Sequence, residues 1–566
     1  MDKAEIAEIF EDIALLLEMK DENPFRVRAY RNAARALLNT ETPLTELIRE
    51  KKLTDLEGIG EDLSEKITTL VKTGRLPFYS KLKKSIPKGV LSLREVRGLG
   101  AKKIKILYEK LKIDSIVKLK KACEAGKLAK LKGFGKKTEQ KLLDALGAQA
   151  TYAKRMLWWT AAELADPILQ SLRKIKGVRQ AEIAGSVRRG LETIGDLDFV
   201  VSATEPQRVI QWFEKYPEVA RVLEKGETKI TLRLKQGTQV DVRVVTEKEF
   251  PFALLHFTGS KEHNLKLRAA ARAKGWSLSE YGLKGKRVSG SEAAIYKAFG
   301  YDSIPPELRE NQGEFAAAHA RKLPHLVTEK DIRGTFHNHT TASDGMSTLT
   351  EMAEEGTKMG WEYLGISDHS KSSFQAHGLS IERLEEQITT IRAWNKQKKS
   401  LTLFAGTECD ILPNGKLDFS DSILEKLDFV IVSVHNALAQ DEKTMTQRII
   451  RAVEHPLSTM VGHLTGRLLL KREPYRVNVQ KVIDACIANK KIIELNGNPM
   501  RLDMDWRLWH KASEKGLLCC VNTDAHHTSH LHFIKAGINS ARKGWLEKRH
   551  IINTYPLSQI KKLFAK

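Results

Sequence analysis

The sequence predicts a chain of several domains: a helical N-terminal region, a mixed α+β region in the middle and a C-terminal barrel of parallel strands. Three observations support this fold class. The 566 residues exceed what a single hydrophobic core usually holds. Three short glycine motifs, each followed by an amphipathic helix, lie within the first 150 residues. From Gly334 onward, strand-like apolar runs alternate with helical ones, and thirteen of the seventeen histidines lie there.

Positive charge is concentrated in the N-terminal region. The formal net charge is +23, and residues 81–150 hold twenty Lys and Arg against six Asp and Glu. This favours a polyanion as partner, with a lysine-rich solvated surface as the alternative. The five cysteines lack metal-binding or disulfide spacing, and neither a signal peptide nor a membrane-spanning apolar run is found. We therefore expect a cytoplasmic protein without a membrane partner.

The three glycine motifs read LEGIGEDLSEKI from Leu56, VRGLGAKKIKIL from Val96 and LKGFGKKTEQKLL from Leu131. In each, Gly-x-Gly permits a tight turn, and the helix that follows presents N–H groups that suit a phosphate. The motifs resemble the helix-hairpin-helix, which binds the DNA backbone, whereas a lone Gly-x-Gly is more often a plain helix turn. The residues predicted to contact DNA are Gly58, Gly60, Gly98, Gly100, Lys102, Gly133, Gly135 and Lys136.

Beyond Ala150, the pattern changes to the strands and helices of an α+β domain. AEIAGS, DLDFVVSA and ITLRLKQGTQVDVRVV alternate or run apolar with β-branched residues, as strands of one sheet do. Asp196 and Asp198 share one face of a strand, and Asp241 on a second strand could join them. Three carboxylates suit two Mg²⁺ or Mn²⁺ ions in a phosphoryl transfer, although Asp-x-Asp alone is more often an ordinary strand edge.

A glycine-serine step and a basic turn precede these carboxylates. Ser186 and Arg189 could meet a triphosphate there. Gly-Ser followed by Asp-x-Asp resembles the nucleotidyltransferase superfamily. The longer stretch GSVRRGLETIGDLDFVV, with VDVRVV and FTGSKEHN downstream and the hairpin motifs upstream, resembles the family X DNA polymerases, related to DNA polymerase beta. This resemblance covers residues 1 to about 320.

The resemblance implies a nucleotidyltransferase palm followed by a small α/β thumb-like domain. Asp196, Asp198 and Asp241 would hold the two catalytic metals, with Asp241 near the primer 3′-hydroxyl. The family often has Tyr-Phe before Thr-Gly-Ser where this chain has His-Phe, a change that bears on discrimination against ribonucleotides. The residues implied to contact the nucleotide are Gly185, Ser186, Arg189, His256, Phe257, Gly259, Asn264 and Arg268.

The N-terminal domain also resembles the lyase domain of the beta type. Lys66 matches the lysine that forms a Schiff base with an abasic sugar, Tyr30 matches a tyrosine beside it, and Arg26 keeps a basic charge. Asp62 and Phe78 stand where the family carries further lysines, whose charge would promote deprotonation of the reactive amine. Beside a 5′-deoxyribose phosphate lyase role, an ordinary surface lysine is the alternative for Lys66.

Potential metal ligands follow the strand-like runs of the C-terminal region. Nitrogen and carboxylate ligands together suit Mn²⁺, Zn²⁺ or Fe²⁺, whereas a solitary histidine at a strand end is more often structural. Because each falls just after a β-type run, we expect nine ligands to meet at one barrel mouth. They are His337, His339, Asp344, His369, Glu408, His435, His463, Asp524 and His526.

This series resembles the polymerase and histidinol phosphatase (PHP) domain, a distorted (β/α)7 barrel in which up to three metal ions hydrolyse phosphoesters. The resemblance covers Asp331 to the C-terminus, with Leu464 in place of a usual proline and Thr335 in place of a usual acid. Arg467 could bind a phosphate or form a structural salt bridge. The implied ligand sets are His337, His339, Glu408 and Asp524; Glu408, His435 and His463; and Asp344, His369 and His526.

The whole chain is thus similar to a bacterial repair polymerase, and a monomeric, nucleoid-associated one is implied. It would fill gaps in primer–template DNA from deoxynucleoside triphosphates and act as a 3′-to-5′ exonuclease or abasic-site endonuclease at the barrel. The predicted parts are a lyase-like helical domain at 1–88, a second helical domain at 89–150, the palm at 151–248, a nucleotide-selecting subdomain at 249–320, a linker at 321–332 and the PHP phosphoesterase at 333–566.

Three alternatives use the same residues. A small-molecule phosphatase of the histidinol-phosphate kind would share the barrel site but would not need three hairpin motifs. A template-independent nucleotidyltransferase would share the aspartates and extend single strands. A non-catalytic DNA-binding scaffold would need degenerate sites, and neither the carboxylate series nor the histidine series has a gap.

Overall fold

The computed structural model describes residues 3–39, 44–56, 58–96, 99–131, 133–136, 138–140, 142–143, 146, 155–288, 290–397 and 400–565. The chain divides into two compact units, Met1–Ala153 and Lys154–Lys566. The predicted fold class is confirmed, because helices make up the described elements of the first unit and the second unit contains the sheets. None of the described helices is long and apolar enough to cross a membrane.

The first unit is built on two apolar cores. One core is formed by side chains between Ile6 and Leu82, and the other by side chains between Val90 and Leu146 together with two from the first helix. Short 3-10 turns connect several of the helices. The described α-helices span Lys3–Met19, Pro24–Asn39, Leu44–Arg49, Glu61–Thr73, Pro77–Lys84, Ala101–Leu111 and Ile116–Glu124.

The glycine motifs form tight turns at helix starts. Gly58 and Gly133 share a φ of +89°, the left-handed conformation that favours glycine. Gly60 and Gly100 are extended and directly precede the helices Glu61–Thr73 and Ala101–Leu111. Gly98 lies outside the described residues. The turn geometry therefore repeats between the first and third motifs, as their shared sequence pattern predicts.

The second unit begins with the palm, a five-stranded sheet of order β2-β4-β7-β6-β5. Within it, β4 and β7 are parallel and the other pairs are antiparallel, while the short β1 and β3 pair separately. Helices Trp158–Arg173, Gly185–Arg188 and Pro206–Glu214 accompany the sheet. The strands are β1 (Met156–Leu157), β2 (Val178–Ile183), β3 (Thr193–Ile194), β4 (Asp196–Ala203), β5 (Val219–Lys225), β6 (Lys229–Leu234) and β7 (Gln239–Val245).

A smaller, mainly helical region follows the palm. Its helices Phe250–Thr258, Lys261–Ala273, Glu292–Phe299 and Glu314–His319 pack with the hairpin of β8 (Ser277–Ser279) and β9 (Gly282–Lys284). Residues 321–332, predicted as a linker, pack against the barrel that comes next. Val327 is fully buried in the barrel core, and its N–H donates to Leu546 O at 3.1 Å. This segment is therefore docked rather than a free spacer.

Parallel strands form the C-terminal barrel in two ladders, β10-β11-β12 and β13-β14-β15-β16-β17. Parallel bridges Asn338–Ala525 and His369–Glu408 join the ladders. The second bridge continues the register of β11 with β12, so β12 and β13 are one interrupted strand and the barrel has seven strand positions. The strands are β10 (Gly334–Thr335), β11 (Tyr363–Ile366), β12 (Thr402–Ala405), β13 (Glu408–Asp410), β14 (Ile431–Ser433), β15 (Met460–Val461), β16 (Ile492–Asn496) and β17 (Cys519–Asn522).

The C-terminal segment closes one end of this barrel. Phe564 packs against the rings of Phe336, Phe404 and Phe429, with ring centroids 5.0 to 5.7 Å apart. The opposite end, where the strands terminate, is left for polar side chains. The surrounding α-helices are Leu349–Lys358, Ile381–Lys396, Asp421–Leu424, Glu442–Val453, Val479–Ala488, Trp506–Glu514, Ile534–Lys543 and Leu557–Leu563.

Candidate active sites

The first candidate site lies where β4 and β7 run side by side. Asp198 pairs directly with Asp241 in the parallel ladder, and Asp196 lies two residues earlier on β4, so the three carboxylates share a face. Burial, together with Asp196 and Asp241, raises the pKa of Asp198 to about 7; burial and Asp241 also raise the pKa of Asp196. Mutually repelling carboxylates of this kind are stabilised by a divalent cation.

Neighbouring groups fix the positions of these carboxylates. Thr231 Oγ1 and Gln239 Nε2 donate to the two carboxylate oxygens of Asp241, at 2.5 and 2.7 Å. Gly185 has a φ of +57°, and a Cβ added to it would overlap Asp198 Oδ2 and lie 2.9 Å from Asp198 Cγ. Only glycine therefore lets the backbone approach this carboxylate so closely.

The turn after β2 supplies a hydroxyl group and two guanidinium groups. Ser186 Oγ is buried and has no hydrogen-bond partner among the described residues. Arg189 Nε lies 3.0 Å from Glu310 Oε1, and Arg188 contacts both carboxylate oxygens of Glu292 at 3.1 and 2.6 Å. The arginines are thus tied to the region after the palm, while the Ser186 hydroxyl is available to a ligand.

Four of the predicted nucleotide contacts lie together on two successive helices. Arg268 Nη2 lies 3.0 Å from His256 Nδ1, and Asn264 Nδ2 donates to His256 O at 2.7 Å. A Cβ on Gly259 would lie 2.8 Å from Asn264 Oδ1. Burial, chiefly, lowers the pKa of His256, so its ring is a neutral acceptor beside the arginine.

Two arginines that sequence reasoning missed complete the electrostatics of the palm. Arg243, on β7, lies 5.4 Å from the ring centroid of Phe257 and partly offsets the rise that burial causes in the pKa of Asp198. Arg155 partly offsets the corresponding rise in the pKa of Asp196 and donates from Nε to Thr193 Oγ1 at 2.9 Å. Arg243 follows Asp241 by two residues, so the alternation of the strand was a signal that could have found it.

Lys66 lies in a small aromatic pocket of the first unit. Its ammonium nitrogen is 5.7 Å from the ring centroid of Tyr30 and 5.6 Å from that of Phe78, and it forms an ion pair with Asp62. Arg26 lies over the same Phe78 ring at 5.1 Å. An ion-paired ammonium lacks the lone pair that attacks an aldehyde, so this arrangement favours a structural lysine.

The three glycine motifs predicted to contact DNA differ in charge. The helix after Gly60 begins with Glu61 and Asp62, both exposed. The second motif carries an exposed Lys102 and the third an exposed Lys136 at the corresponding helix starts. A phosphate is favoured by the helix N-terminus and the lysines but repelled by the acids, so the second and third motifs are the better phosphate sites.

The second candidate site lies at the carboxyl ends of the barrel strands. Glu408 Oε1 is 3.2 Å from His435 Nε2 and 2.8 Å from His463 Nε2, and Glu408 Oε2 is 3.4 Å from His337 Nε2 and 2.9 Å from His369 Nδ1. A carboxylate with imidazoles on both oxygens has the geometry of a bridging ligand. Among the described residues, three groups have ligand atoms that lie within 4.8 Å of one another. They are His339, Asp344, His369 and His526; His337, His339 and Asp524; and His369, Glu408 and His435.

All nine predicted barrel ligands therefore meet at one place, but the grouping differs from the implied sets: His339 and His369 each belong to two groups, and His463 joins the cluster through its contact with Glu408. The resemblance assigned His369 to one ion with Asp344 and His526, whereas its ring also contacts Glu408. The three palm carboxylates, by contrast, do not form such a close group among the described residues. Several buried atoms of these ligands have no hydrogen-bond partner among the residues that the structure describes. They are His337 Nε2, His339 Nδ1 and Nε2, His369 Nδ1, His463 Nδ1 and Glu408 Oε2. Unpartnered nitrogen and oxygen donors of this kind fit metal ions.

Residues behind the ligands were missed by sequence reasoning. His337 Nδ1 lies 2.6 Å from Glu494 Oε2, and His435 Nδ1 lies 2.6 Å from Asp410 Oδ1. Such carboxylates orient the imidazole and raise its basicity toward a metal. Against the effect of burial, Glu408 and Asp410 raise the pKa of His435 to about 10. An acid inside a buried apolar strand was the available signal for Glu494.

The structure favours the salt-bridge alternative for Arg467. This side chain is 7% exposed and forms ion pairs with Glu192 of the palm and, at 3.3 Å, with Asp505. Nearby, Lys543 of the barrel lies 2.6 Å from Glu310 Oε1 and donates to Arg189 O at 3.1 Å. Barrel side chains therefore contact the palm segment between the helix Gly185–Arg188 and β4.

Family models match most parts of the chain. A helix-hairpin-helix domain matches residues 1–76, and a SAM-like helix-hairpin-helix tandem matches residues 90–148. A DNA polymerase beta thumb matches residues 253–310, and a PHP domain matches residues 335–498. The four matches thus cover both helical parts of the first unit, the region after the palm and most of the barrel.

Curated relatives fall into two groups. The DNA polymerase/3′-5′ exonuclease PolX of Bacillus subtilis (strain 168) is 36% identical over 567 residues, which is 99% of this chain and 99% of the relative. A probable phosphatase of Thermoanaerobacter sp. (strain X514) is 28% identical over 34% of this chain and 77% of its own length. One of Caldanaerobacter subterraneus is 26% identical over 34% of this chain and 74% of its own length. The phosphatases thus share only part of the chain, whereas the first relative shares nearly all of it.

Proposed function

The chain belongs to the family X DNA polymerases that carry a C-terminal PHP domain, and on this basis we propose that it synthesises DNA at the palm and shortens DNA at the barrel. Template-directed gap filling and 3′-to-5′ exonuclease action are the two activities. One observation carries the proposal: a single chain holds both a palm carboxylate set and a nine-ligand barrel cluster with unpartnered donors. A phosphatase would use only the second.

At the palm, Asp196, Asp198 and Asp241 would hold two Mg²⁺ or Mn²⁺ ions. Such ions stabilise the attacking and leaving oxygens of a nucleotidyl transfer when bound. The unpartnered hydroxyl of Ser186 would donate to the triphosphate, and Arg189 would neutralise its charge. Thr231 and Gln239 support this assignment because they orient the carboxylate assigned to the primer side.

The remaining nucleotide-binding residues are proposed on the basis of the contacts that they make with one another. The His256–Arg268 pair and Asn264 would border the nucleotide, with Gly259 permitting their close packing and Phe257 lying beside them. Because His256 Nδ1 accepts from Arg268, the other nitrogen of the neutral ring carries the proton and can donate, but the ring presents no phenolic hydroxyl to a sugar. Discrimination against ribonucleotides would therefore rest on shape.

At the barrel, the nine ligands would hold up to three Mn²⁺, Zn²⁺ or Fe²⁺ ions, with Glu408 as the bridging carboxylate. Ions in such a cluster lower the pKa of a bound water and supply a hydroxide nucleophile at neutral pH. Glu494 and Asp410 would keep the imidazoles of His337 and His435 oriented toward the ions. The same chemistry would serve an abasic-site endonuclease.

DNA binding would come mainly from the second and third glycine motifs. Their helix starts carry exposed lysines, and residues 81–150, with twenty Lys and Arg against six Asp and Glu, account for more than half of the net charge of +23. Gapped or primer–template DNA and deoxynucleoside triphosphates are the proposed partners. We do not assign a lyase activity to Lys66, because its ammonium group forms an ion pair with Asp62.

A labelled primer on a one-nucleotide gap, compared with the same primer as a free single strand, tests the proposal. With each of the four deoxynucleotides in turn, only the nucleotide complementary to the template should be added, and the single strand should be shortened rather than extended. Extension of the single strand regardless of template would indicate a template-independent transferase. Hydrolysis of histidinol phosphate without any action on DNA would indicate a phosphatase.

A further inference from the structure

A single exposed aromatic ring lies at the mouth of the barrel cavity. Phe374 is 86% exposed, the highest value among the large hydrophobic side chains that the structure describes. It lines a cavity of about 480 Å³ together with His435, His463, Arg501 and Asp524. Single exposed hydrophobic side chains are common on protein surfaces, but this ring lines the cavity that contains the barrel ligands, where a bound substrate would meet it.

The loop that presents Phe374 is anchored rather than free. Ser372 Oγ and Ser373 Oγ both donate to Asp410 Oδ2, at 2.6 and 2.8 Å, and Ser372 N donates to Asp418 Oδ2 at 2.8 Å. The other oxygen of Asp410 contacts the ligand His435 at 2.6 Å. One carboxylate therefore contacts both a proposed metal ligand and the two residues that precede Phe374, which anchors this part of the loop beside the cluster.

The surroundings of the ring suit a small planar ligand rather than a protein surface. Its loop neighbours Ser372, Ser373 and Gln375 are polar, so the ring is isolated and not part of an apolar patch of the size that protein interfaces use. Within the same cavity, the Arg501 guanidinium lies 3.2 Å from Asp524 Oδ2 and adds positive charge beside the ligands. A phosphate in the cavity and a flat group against Phe374 would be accommodated together.

We infer that Phe374 is a stacking platform for the 3′-terminal nucleobase of a DNA strand whose last phosphodiester lies in the barrel cavity. This inference rests on the proposed nuclease function and names its substrate end. Stacking of a base on an aromatic side chain is tolerant of sequence, because every base has a planar face. A stacking platform of this kind would distinguish a DNA nuclease from a phosphatase that uses the same ligand cluster.

The test compares two oligodeoxynucleotides, one ending in an ordinary nucleotide and one ending in an abasic residue at the 3′ end. Phe374→Ala should reduce kcat/KM on the ordinary end about tenfold, mainly through KM, and leave cleavage of the abasic end unchanged. Phe374→Trp should retain wild-type rates, and Phe374→Leu, which keeps an apolar but non-planar side chain, should resemble the alanine variant.

Several results would overturn the inference. Equal losses on both ends would indicate that the ring closes or supports the cavity, and wild-type behaviour of Phe374→Leu would indicate a general apolar contact. Unchanged cleavage of ordinary ends by Phe374→Ala would also contradict it. Gap filling and the bound metal content, measured on the same samples, report correct folding. A wild-type chain that shortens neither strand would contradict the proposed function itself and this inference with it.

Discussion

Replacement of Gly185 by alanine should inactivate DNA synthesis through one displaced carboxylate. A residue with a Cβ at φ +57° is strained by about 1–2 kcal/mol, a cost to stability alone. The added Cβ would also overlap Asp198 Oδ2 and lie 2.9 Å from Asp198 Cγ, so the carboxylate must move by roughly 1 Å. Displacement of that size at a reacting centre lowers the rate by about a hundredfold. Single-turnover gap filling measures this loss.

Gly237→Ala is the matched control for that substitution. Gly237 has a φ of +93° in the turn between β6 and β7, and nothing lies within 4 Å of an added Cβ. The control therefore introduces comparable backbone strain without moving a carboxylate and should keep near-normal gap filling. Both variants should keep the exonuclease activity. Retention of synthesis by Gly185→Ala, or an equal loss in Gly237→Ala, would refute the reasoning.

Three further substitutions probe the barrel, its contact with the palm and a buried ion pair. Glu408→Gln should lower the number of metal ions bound per chain, measured by mass spectrometry, because it weakens the bridging carboxylate; an unchanged metal content would contradict the bridge. Arg467→Met leaves Glu192 buried without its cation and should destabilise the second unit by about 3 kcal/mol in thermal unfolding, with recovery when Glu192→Gln is added. Burial alone would raise the pKa of Glu292, but Arg309 and Arg188 lower it to about 2. Glu292 therefore stabilises the fold above pH 4.5, and this stabilisation is lost as the pH falls toward 2. Glu292→Gln should cost about 3 kcal/mol at pH 7 and flatten the acid unfolding profile over that range.

Local spacing predicted the parts of the sites that lie on one strand or helix. Asp196 and Asp198 share a face because strand side chains alternate, and the barrel ligands follow apolar runs because strands end at the barrel mouth. The register that sets Asp198 beside Asp241 could not be predicted, since pairing of β4 with β7 depends on contacts distant in sequence. Because Asp62 and Lys66 are four residues apart on one helix, their ion pair could have been predicted from the sequence.

Contacts between distant segments explain what sequence reasoning missed. Glu494 and Asp410 act behind histidines more than twenty residues away, and only the folded barrel brings them within 2.6 Å. Arg467 follows a ligand closely in sequence, yet its side chain is directed to Glu192 of the palm. The predicted linker lacks apolar periodicity, but Val327 and Ile332 are buried in the barrel core and Asp331 forms an ion pair with Lys548.

One measurement tests the two-site account most directly. A 5′-labelled primer on gapped DNA is followed with deoxynucleotides present and then absent, for the wild type and two double variants. Asp196→Asn with Asp198→Asn should only shorten the primer, and His337→Ala with His339→Ala should only extend it, while the wild type does both. Loss of both activities in either double variant, or retention of extension in the first, would contradict the account.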